Sequence, residues 1–462
     1  MDLKTPGKTP IVIIAHFFFS YISCCSLWRN VLTTPDIPAI AKYFTTKGRY
    51  EEVNPYLIDD ILAVNKSLVK PPSAECREIH LTAIIRHGSR YPTTKNVKKM
   101  RELHNLVVQK ASGEERWLRE ITQWKMWYTD EMDGRLVQKG VLDHRHLAVR
   151  LSKLFPSLIS KEKLQDGHIK FMTSSKHRCV NSTLSFQGGL AKLWAIEGRY
   201  NPTRCLYDKI DYEVNDALMR FFDNCTRFVE TVDKNQSAMA ELDKFRSSAE
   251  MRRVQEKIAD RLLVPYNMAE AAFYLCAYEL AIKTINSPWC QLFDEADALV
   301  LEYANDLKQF WKRSYGHDIN SKSSCILFHD VFSRLDRASK SRPESNRESV
   351  GHADTLLPLL TLLGFFKDSV PLTSNNYVTQ GQRAFRTSRM MPYAANLVLV
   401  LYDCSGNLRL QALLNERPLA FPGLATNQGE EGAPLYQDVR DHYGELLQGC
   451  DFEKECQLFP SK

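Results

Sequence analysis

Four short apolar runs stand out along the chain. Residues 79–85, 169–172, 396–402 and 408–414 are rich in Ile, Val and Leu, which predicts β-strands. Ser405-Gly406-Asn407 separates the last two and reads as a hairpin turn. Between the first two runs the spacing turns helical, with Leu142, Leu147, Leu151 and Leu154 on one stripe. From about residue 200 to 340 it stays mostly helical. Leu292, Ala296, Leu299, Tyr303, Leu307 and Phe310 form a stripe that reads as core. Residues 339–349 are polar, charged and contain Pro343, which predicts an exposed connector. A dense run, Leu356, Leu357, Leu359, Leu360, Leu362 and Leu363, then predicts a buried helix. Alternating strands and helices, a helical interruption and a return to alternation predict an α/β sheet domain carrying an inserted α-helical domain. The division is 27–199 and 346–462 for the sheet domain and 200–345 for the insertion.

Chemistry gathers where the predicted strands end. The first runs into Arg86-His87-Gly88-Ser89-Arg90-Tyr91-Pro92. Guanidinium forks fit phosphate oxygens bidentately and stay charged at any working pH. A histidine between them offers a ring nitrogen that can attack phosphorus. Gly88 lets backbone approach the bound group closely, and Pro92 ends the strand. The second strand runs into Thr173-Ser174-Ser175-Lys176-His177-Arg178 at a helix start, where free backbone N–H groups favour anions. Arg178 reads as functional there. Ser174 or Ser175 reads equally well as an ordinary helix cap. Gly351-His352-Ala353-Asp354 opens the buried helix, with His352 and Asp354 in its first turn. Ligands of α/β sheets bind beyond the carboxyl ends of the strands, where Arg86, His87, Arg90 and Arg178 fall.

Arg-His-Gly-x-Arg-x-Pro, a later Arg on a Ser-rich strand end, and a late His-Ala-acid resemble the histidine acid phosphatases. The multiple inositol polyphosphate phosphatase branch is the most similar, through residues 86–93, 174–179 and 351–358, and the resemblance runs from about Cys76 to the C-terminus. It implies a phosphoglycerate mutase-like fold, with a central, mostly parallel sheet flanked by helices. It implies that His87 is the nucleophile and forms a phosphohistidine. Arg86, Arg90, Arg178 and His352 would hold the phosphoryl oxygens, and Asp354 would protonate the leaving oxygen. Lys95, one turn beyond the motif, would contact substrate, while Lys98, Lys99 and Arg101 face solvent. No metal or other cofactor is required, because the arginines supply the positive charge. One position departs from the branch, which usually has Glu where this chain has Asp354. The implied substrates are inositol polyphosphates, inositol hexakisphosphate included, and 2,3-bisphosphoglycerate. A broad-specificity acid phosphatase and a catalytically weak, secreted polyphosphate-binding protein stay open as alternatives.

The 462 residues, 44% hydrophobic, suffice for a large core, and the net charge of +6 is too modest and spread to imply nucleic-acid binding. The partner is a small phosphorylated molecule. Residues 1–26 read as a secretory signal, with Lys4 and Lys8 before an apolar stretch and small residues after it. An uncleaved signal-anchor is the alternative, and no later run is long enough to span a bilayer. Twelve cysteines fit an oxidising compartment, with the chain secreted or in the endoplasmic reticulum lumen. Cys276 and Cys290 can pair, as can Cys450 and Cys456, and the resembled fold implies Cys76 with Cys404. Asn65, Asn181, Asn224 and Asn235 are glycosylation acceptors by sequence.

Overall fold

The computed structural model describes residues 37–196, 200–201, 206–207, 210–340, 345–424 and 433–458. The proposed signal, 1–26, lies outside them. Seven strands form one sheet: β1 Cys76–Arg86, β2 Ile169–Thr173, β3 Glu213–Val214, β4 Asn346–Gly351, β5 Asn396–Cys404, β6 Asn407–Leu414 and β7 Arg417–Leu419. Their order across the sheet is β3-β2-β4-β1-β5-β6-β7. Strands β3, β2, β4 and β1 are parallel to one another. The pairs β1–β5, β5–β6 and β6–β7 are antiparallel. The sheet is thus mixed, and the expectation of a mostly parallel one holds for the half that carries the motifs.

Both faces of the sheet are covered, and β1 and β5 present apolar side chains to both. Leu81, Ala83 and Ile85 of β1 pack with Val398 and Val400 against α2 (Gln138–Leu154) and α3 (His177–Leu193). Ile84 and Leu397, Leu399 and Leu401 pack on the other face with α6 (Cys325–Ser339) and α7 (Ala353–Leu362). The same core continues into α1 (Thr94–Lys110), α4 (Ala269–Lys283) and α5 (Glu295–Arg313). In α5 the expected stripe is partly core: Tyr303, Leu307 and Phe310 are buried, while Ala296 is exposed and Leu299 half-buried. Glu302 and Asp306 take the interior places, where Arg383 pairs with both.

The connector expected over 339–349 is corrected by β4, whose six residues are all buried between β1 and β2. Asn-Arg-Glu-Ser-Val-Gly has no apolar alternation, so hydropathy misses it. Its polar groups are absorbed individually. Asn346 Nδ2 donates to Leu158 O at 3.0 Å and its Oδ1 accepts from Leu81 N at 2.8 Å. Arg347 faces Asp330 at 3.7 Å. Glu348 differs, since both carboxyl oxygens are buried without a partner. Burial therefore pushes this carboxyl well above its ordinary 4.5. The folded chain keeps a proton that the unfolded chain releases above that pH, so this residue's contribution to stability falls as pH rises. Glu348→Gln is expected to melt above wild type at pH ~7.5, with the difference fading towards pH ~4. A difference that does not vary across that range in parallel melts would contradict this.

Four disulfides are formed among the described residues. Cys76–Cys404 and Cys276–Cys290 match expectation. The Cys450–Cys456 pairing is corrected: Cys450 joins Cys325 at the start of α6, and Cys456 joins Cys225. The intervening helical turn, Phe452–Cys456, carries the two thiols to different neighbours. Cys179 is buried and free.

Candidate active site

Because β1, β2 and β4 are parallel and paired, their carboxyl ends meet at one edge. Arg86 and Gly351 are register partners there, as are Thr173 and Val350. That edge brings Arg86, His87, Arg90, Arg178, His352 and Asp354 around one cavity. All but one of the sequence-identified site residues therefore converge. The exception is Lys95, which is exposed on α1, outside the cavity lining. Successive helical positions point about 100° apart, and it is Asn96 that lines the cavity.

The loop after β1 is held by its backbone. Arg86 N donates to Ala395 O at 2.7 Å and His87 N to Gly351 O at 3.0 Å. Gly88 N donates to Ser182 Oγ at 3.1 Å. Ser89 donates from N and from Oγ to Asp143 Oδ2, and Lys139 ties Asp143 to Glu51. The role expected of Gly88 is corrected. A Cβ there would run into the backbone of Gly140 in α2, so the glycine serves the packing of loop on helix. The arrangement fixes where His87 points.

His87 Nδ1 lies 2.9 Å from Gly88 O. A carbonyl can only accept, so Nδ1 carries the hydrogen and Nε2 keeps its lone pair. Burial, then the charges of Arg178, Arg86 and Arg90, hold the imidazole well below its ordinary pKa. It stays neutral in acid, the form a nucleophile requires.

Three guanidinium groups surround it. Arg86 donates to Met391 O at 2.6 Å and lies over the Tyr393 ring, 4.6 Å from its centre. Arg90 donates to Tyr91 O at 2.7 Å. Arg178 Nη2 approaches His352 Nδ1 at 3.2 Å. The Nε of each is buried without a partner, as is the Tyr393 hydroxyl. Burial lowers Arg86 to about 10 and lowers Arg178 as well, leaving both charged in acid. Among the described residues no carboxylate forms an ion pair with any of the three, and such a group is a site for a multiply charged oxyanion.

His352 has both ring nitrogens engaged. Nδ1 accepts from Arg178, so Nε2 donates to Ser174 Oγ at 2.9 Å. Burial and Arg178 keep it neutral, at about 3. The helix cap foreseen at Ser174 or Ser175 is corrected, since Lys176 takes the cap position without a side-chain bond. Ser174 instead orients His352, while Ser175 donates to Asp216. Asp354 accepts from Arg313 Nε. Burial alone would raise its carboxyl, but Arg313 and then His352 outweigh that and hold it at about 2.

Further basic side chains line the cavity: Lys47, Lys308 and Arg313. Sequence reasoning missed them. Asn305, Lys308, Gln309 and Arg313 recur at helical spacing, and this polar stripe down α5 is the signal that marks them. Lys47, in the turns before β1, carries no comparable signal. Among the described residues no cluster of His, Cys, Asp or Glu is placed to hold a metal ion.

A strand-end histidine among unpaired guanidinium groups, on a mixed sheet flanked by helices, defines a phosphatase of the histidine class. Residues 79–415 match the family model described as Histidine phosphatase superfamily (branch 2), and the chain belongs to that family. Multiple inositol polyphosphate phosphatase 1 of Homo sapiens is 42% identical, covering 99% of this chain and 98% of its own length. The Gallus gallus protein of the same name is 44% identical, covering 90% and 92%. The resemblance read from the motifs is thus borne out over nearly the whole chain. Among solved structures, the phytase from D. castellii superposes with a TM-score of 0.73 at 15% identity, covering 90% of this chain and 87% of its own. The Bifidobacterium longum multiple inositol polyphosphate phosphatase, in complex with inositol hexasulfate, gives 0.66 at 16%, covering 83% and 94%. At these identities the superpositions establish the fold.

Proposed function

We propose that this phosphatase hydrolyses inositol polyphosphates, inositol hexakisphosphate included, through a phosphohistidine on His87, and that it also accepts 2,3-bisphosphoglycerate. The reading rests on one observation above the others: a neutral histidine with a free Nε2 faces three guanidinium groups that form no ion pair with a carboxylate among the described residues. Arg86, Arg90 and Arg178 take the phosphoryl oxygens and stabilise charge as it spreads in the transition state. His352, held by Ser174, orients Arg178 and faces the same oxygens. Asp354 gives its proton to the leaving alkoxide, then takes one from the attacking water. Lys47, Lys308 and Arg313 extend positive charge beyond the cradle, which favours substrates with several phosphates over simple monoesters. The names of the relatives point the same way.

Four disulfides among the described residues suit the proposed passage through the secretory pathway. The finer assignment is a chain secreted or kept in the endoplasmic reticulum lumen.

The deciding assay is phosphate release from inositol hexakisphosphate at pH ~5, with and without a chelator. Steady release, unchanged by the chelator, is expected. Binding without turnover would favour a polyphosphate-binding protein, for which the ion-paired Asp354 is the one supporting feature. Turnover of simple phosphate monoesters with no preference for inositol polyphosphates would favour the broad acid phosphatase.

A further inference from the structure

An acid catalyst must carry its proton when the leaving oxygen departs. Asp354 is in the wrong state for this. Bound to Arg313 and held at about 2, it is ionised throughout the range in which the other groups are competent. Other charged groups face it: Lys312 beside Arg313 on α5, Arg86 and Arg90 from the β1 loop, Arg178 from α3, and Asp223 from the turn Phe221–Asn224. Of these and His352, Arg313 alone hydrogen-bonds to the carboxylate. Lys312 pairs elsewhere, with Asp233.

Arg313 is placed to leave. It comes from the last turn of α5 and lines the same cavity as His87. Its other side-chain bond is to a neutral group, Gln309 Oε1, at 3.1 Å. Lys308 of α5 forms no ion pair among the described residues, Lys47 lies 4.4 Å from the centre of the Tyr274 ring, and Glu270 stands near both. Beyond the arginine cradle, Lys47, Lys308 and Arg313 thus line the cavity, and Asp354 is the one carboxylate among its described lining residues. A second phosphate on the substrate, arriving among them, presents more charge and more acceptor oxygens to a guanidinium fork than Asp354 does.

We propose that Arg313 is a positioning residue shared between Asp354 and a second phosphate of the substrate, and that this phosphate, by drawing Arg313 away, lets Asp354 take up the proton it later donates. The inference rests on the reading of His87 as nucleophile and Asp354 as acid. With Arg313 on the phosphate, Asp354 takes a proton from hydronium of the acidic solvent, which becomes water. The Nε2–P bond then forms as the bridging P–O bond breaks, and the departing oxygen takes both the electron pair and the Asp354 proton. The products are phosphohistidine and an alcohol that keeps its other phosphates. In the second half, water adds to phosphorus as the N–P bond breaks, and its proton returns to Asp354. A substrate with one phosphate binds the cradle but leaves the acid unprotonated. Selection for polyphosphates therefore resides in kcat as well as in KM.

The test is the pH dependence of kcat for inositol hexakisphosphate and for glycerol 2-phosphate, an alkyl ester with one phosphate, in wild type, Arg313→Gln and Arg313→Lys, with melting temperatures confirming folding. In wild type, activity on glycerol 2-phosphate should fall away with rising pH at least one unit below the fall for the hexakisphosphate. Arg313→Gln should move the glycerol 2-phosphate limb upward. Each unit of that move raises the protonated fraction about tenfold, so kcat at pH ~5 should rise ~10-fold or more and the kcat ratio of the two substrates should shrink. Arg313→Lys, a cation without the fork, should fall between. Coincident limbs in wild type, or a limb that stays in place in both variants, would overturn the proposal. Asp354→Asn is run alongside. If it fails to distinguish alkyl from aryl esters, the acid assignment itself falls; if it does distinguish them while the limb stays put, only the role of Arg313 falls.

Discussion

His87→Ala is expected to lose at least ~10³-fold of turnover at every pH, because the covalent route disappears with the ring. The loss should fall on kcat. Arg86, Arg90 and Arg178 are anchored independently of the imidazole, by Met391 O, Tyr91 O and His352, so substrate still has its cradle. Burial and three neighbouring guanidinium groups keep His87 neutral, so wild-type activity at low pH is not limited by its protonation. Quenching wild-type enzyme in base during turnover should trap a phosphoprotein that is stable to base and labile to acid, and the variant should yield none. Near-normal turnover in the variant, or a trapped phosphate on another residue, would remove the nucleophile from His87.

Asp354→Asn should separate substrates by leaving group. An alkoxide needs a proton to depart, so inositol phosphates should slow by ~10²-fold or more, within the range for general-acid catalysis. An aryloxide departs without one, so aryl phosphates should be affected far less. Asp354→Glu should remain active, restoring the reach usual in the branch. A carboxylate serving only the helix dipole is worth ~0.3–1 kcal/mol. It would give instead a lower melting temperature and equal, small rate changes on both substrate types. Rate measurements on paired alkyl and aryl esters decide between the two.

The phosphate cradle was legible because its residues are adjacent in sequence. Arg86, His87 and Arg90 sit on one loop, and Arg178, His352 and Asp354 each follow a strand end or open a helix. Residues that reach the cavity from distant elements were missed, Lys47 for want of a signal and the α5 residues because a polar stripe does not by itself say what it faces. Lys47 comes from the turns before β1, and Lys308 and Arg313 from α5. Only folding brings them beside β1. Strand β4 escaped because period-2 hydropathy presumes that buried means apolar. Asn346 and Arg347 are buried with partners supplied by other segments, which no local pattern reveals. Lys95 failed for the opposite reason. Proximity in sequence placed it near the motif, and helix rotation turned it to solvent. Cys450 and Cys456 were paired by spacing alone, and tertiary contacts gave each another partner.

The position of β4 between β1 and β2 has a consequence for biosynthesis. During translation β1 and β2 emerge from the ribosome long before the strand that separates them, and they do not pair with each other. The edges they would offer β4 stay unfilled while the whole helical block is made, and open strand edges recruit wrong partners. The backbone groups that hold the His87 loop, at Gly351, Ala394 and Ala395, are also late products. Among the described residues, three of the four disulfides wait for Cys404, Cys450 or Cys456, bridging separations of 328, 125 and 231 residues. A nascent or truncated chain ending before residue 346 thus carries His87 and the arginines yet has no catalytic edge, and its thiols remain open to exchange. Completion of the sheet, the catalytic edge and these bridges thus waits for the last quarter of the polypeptide.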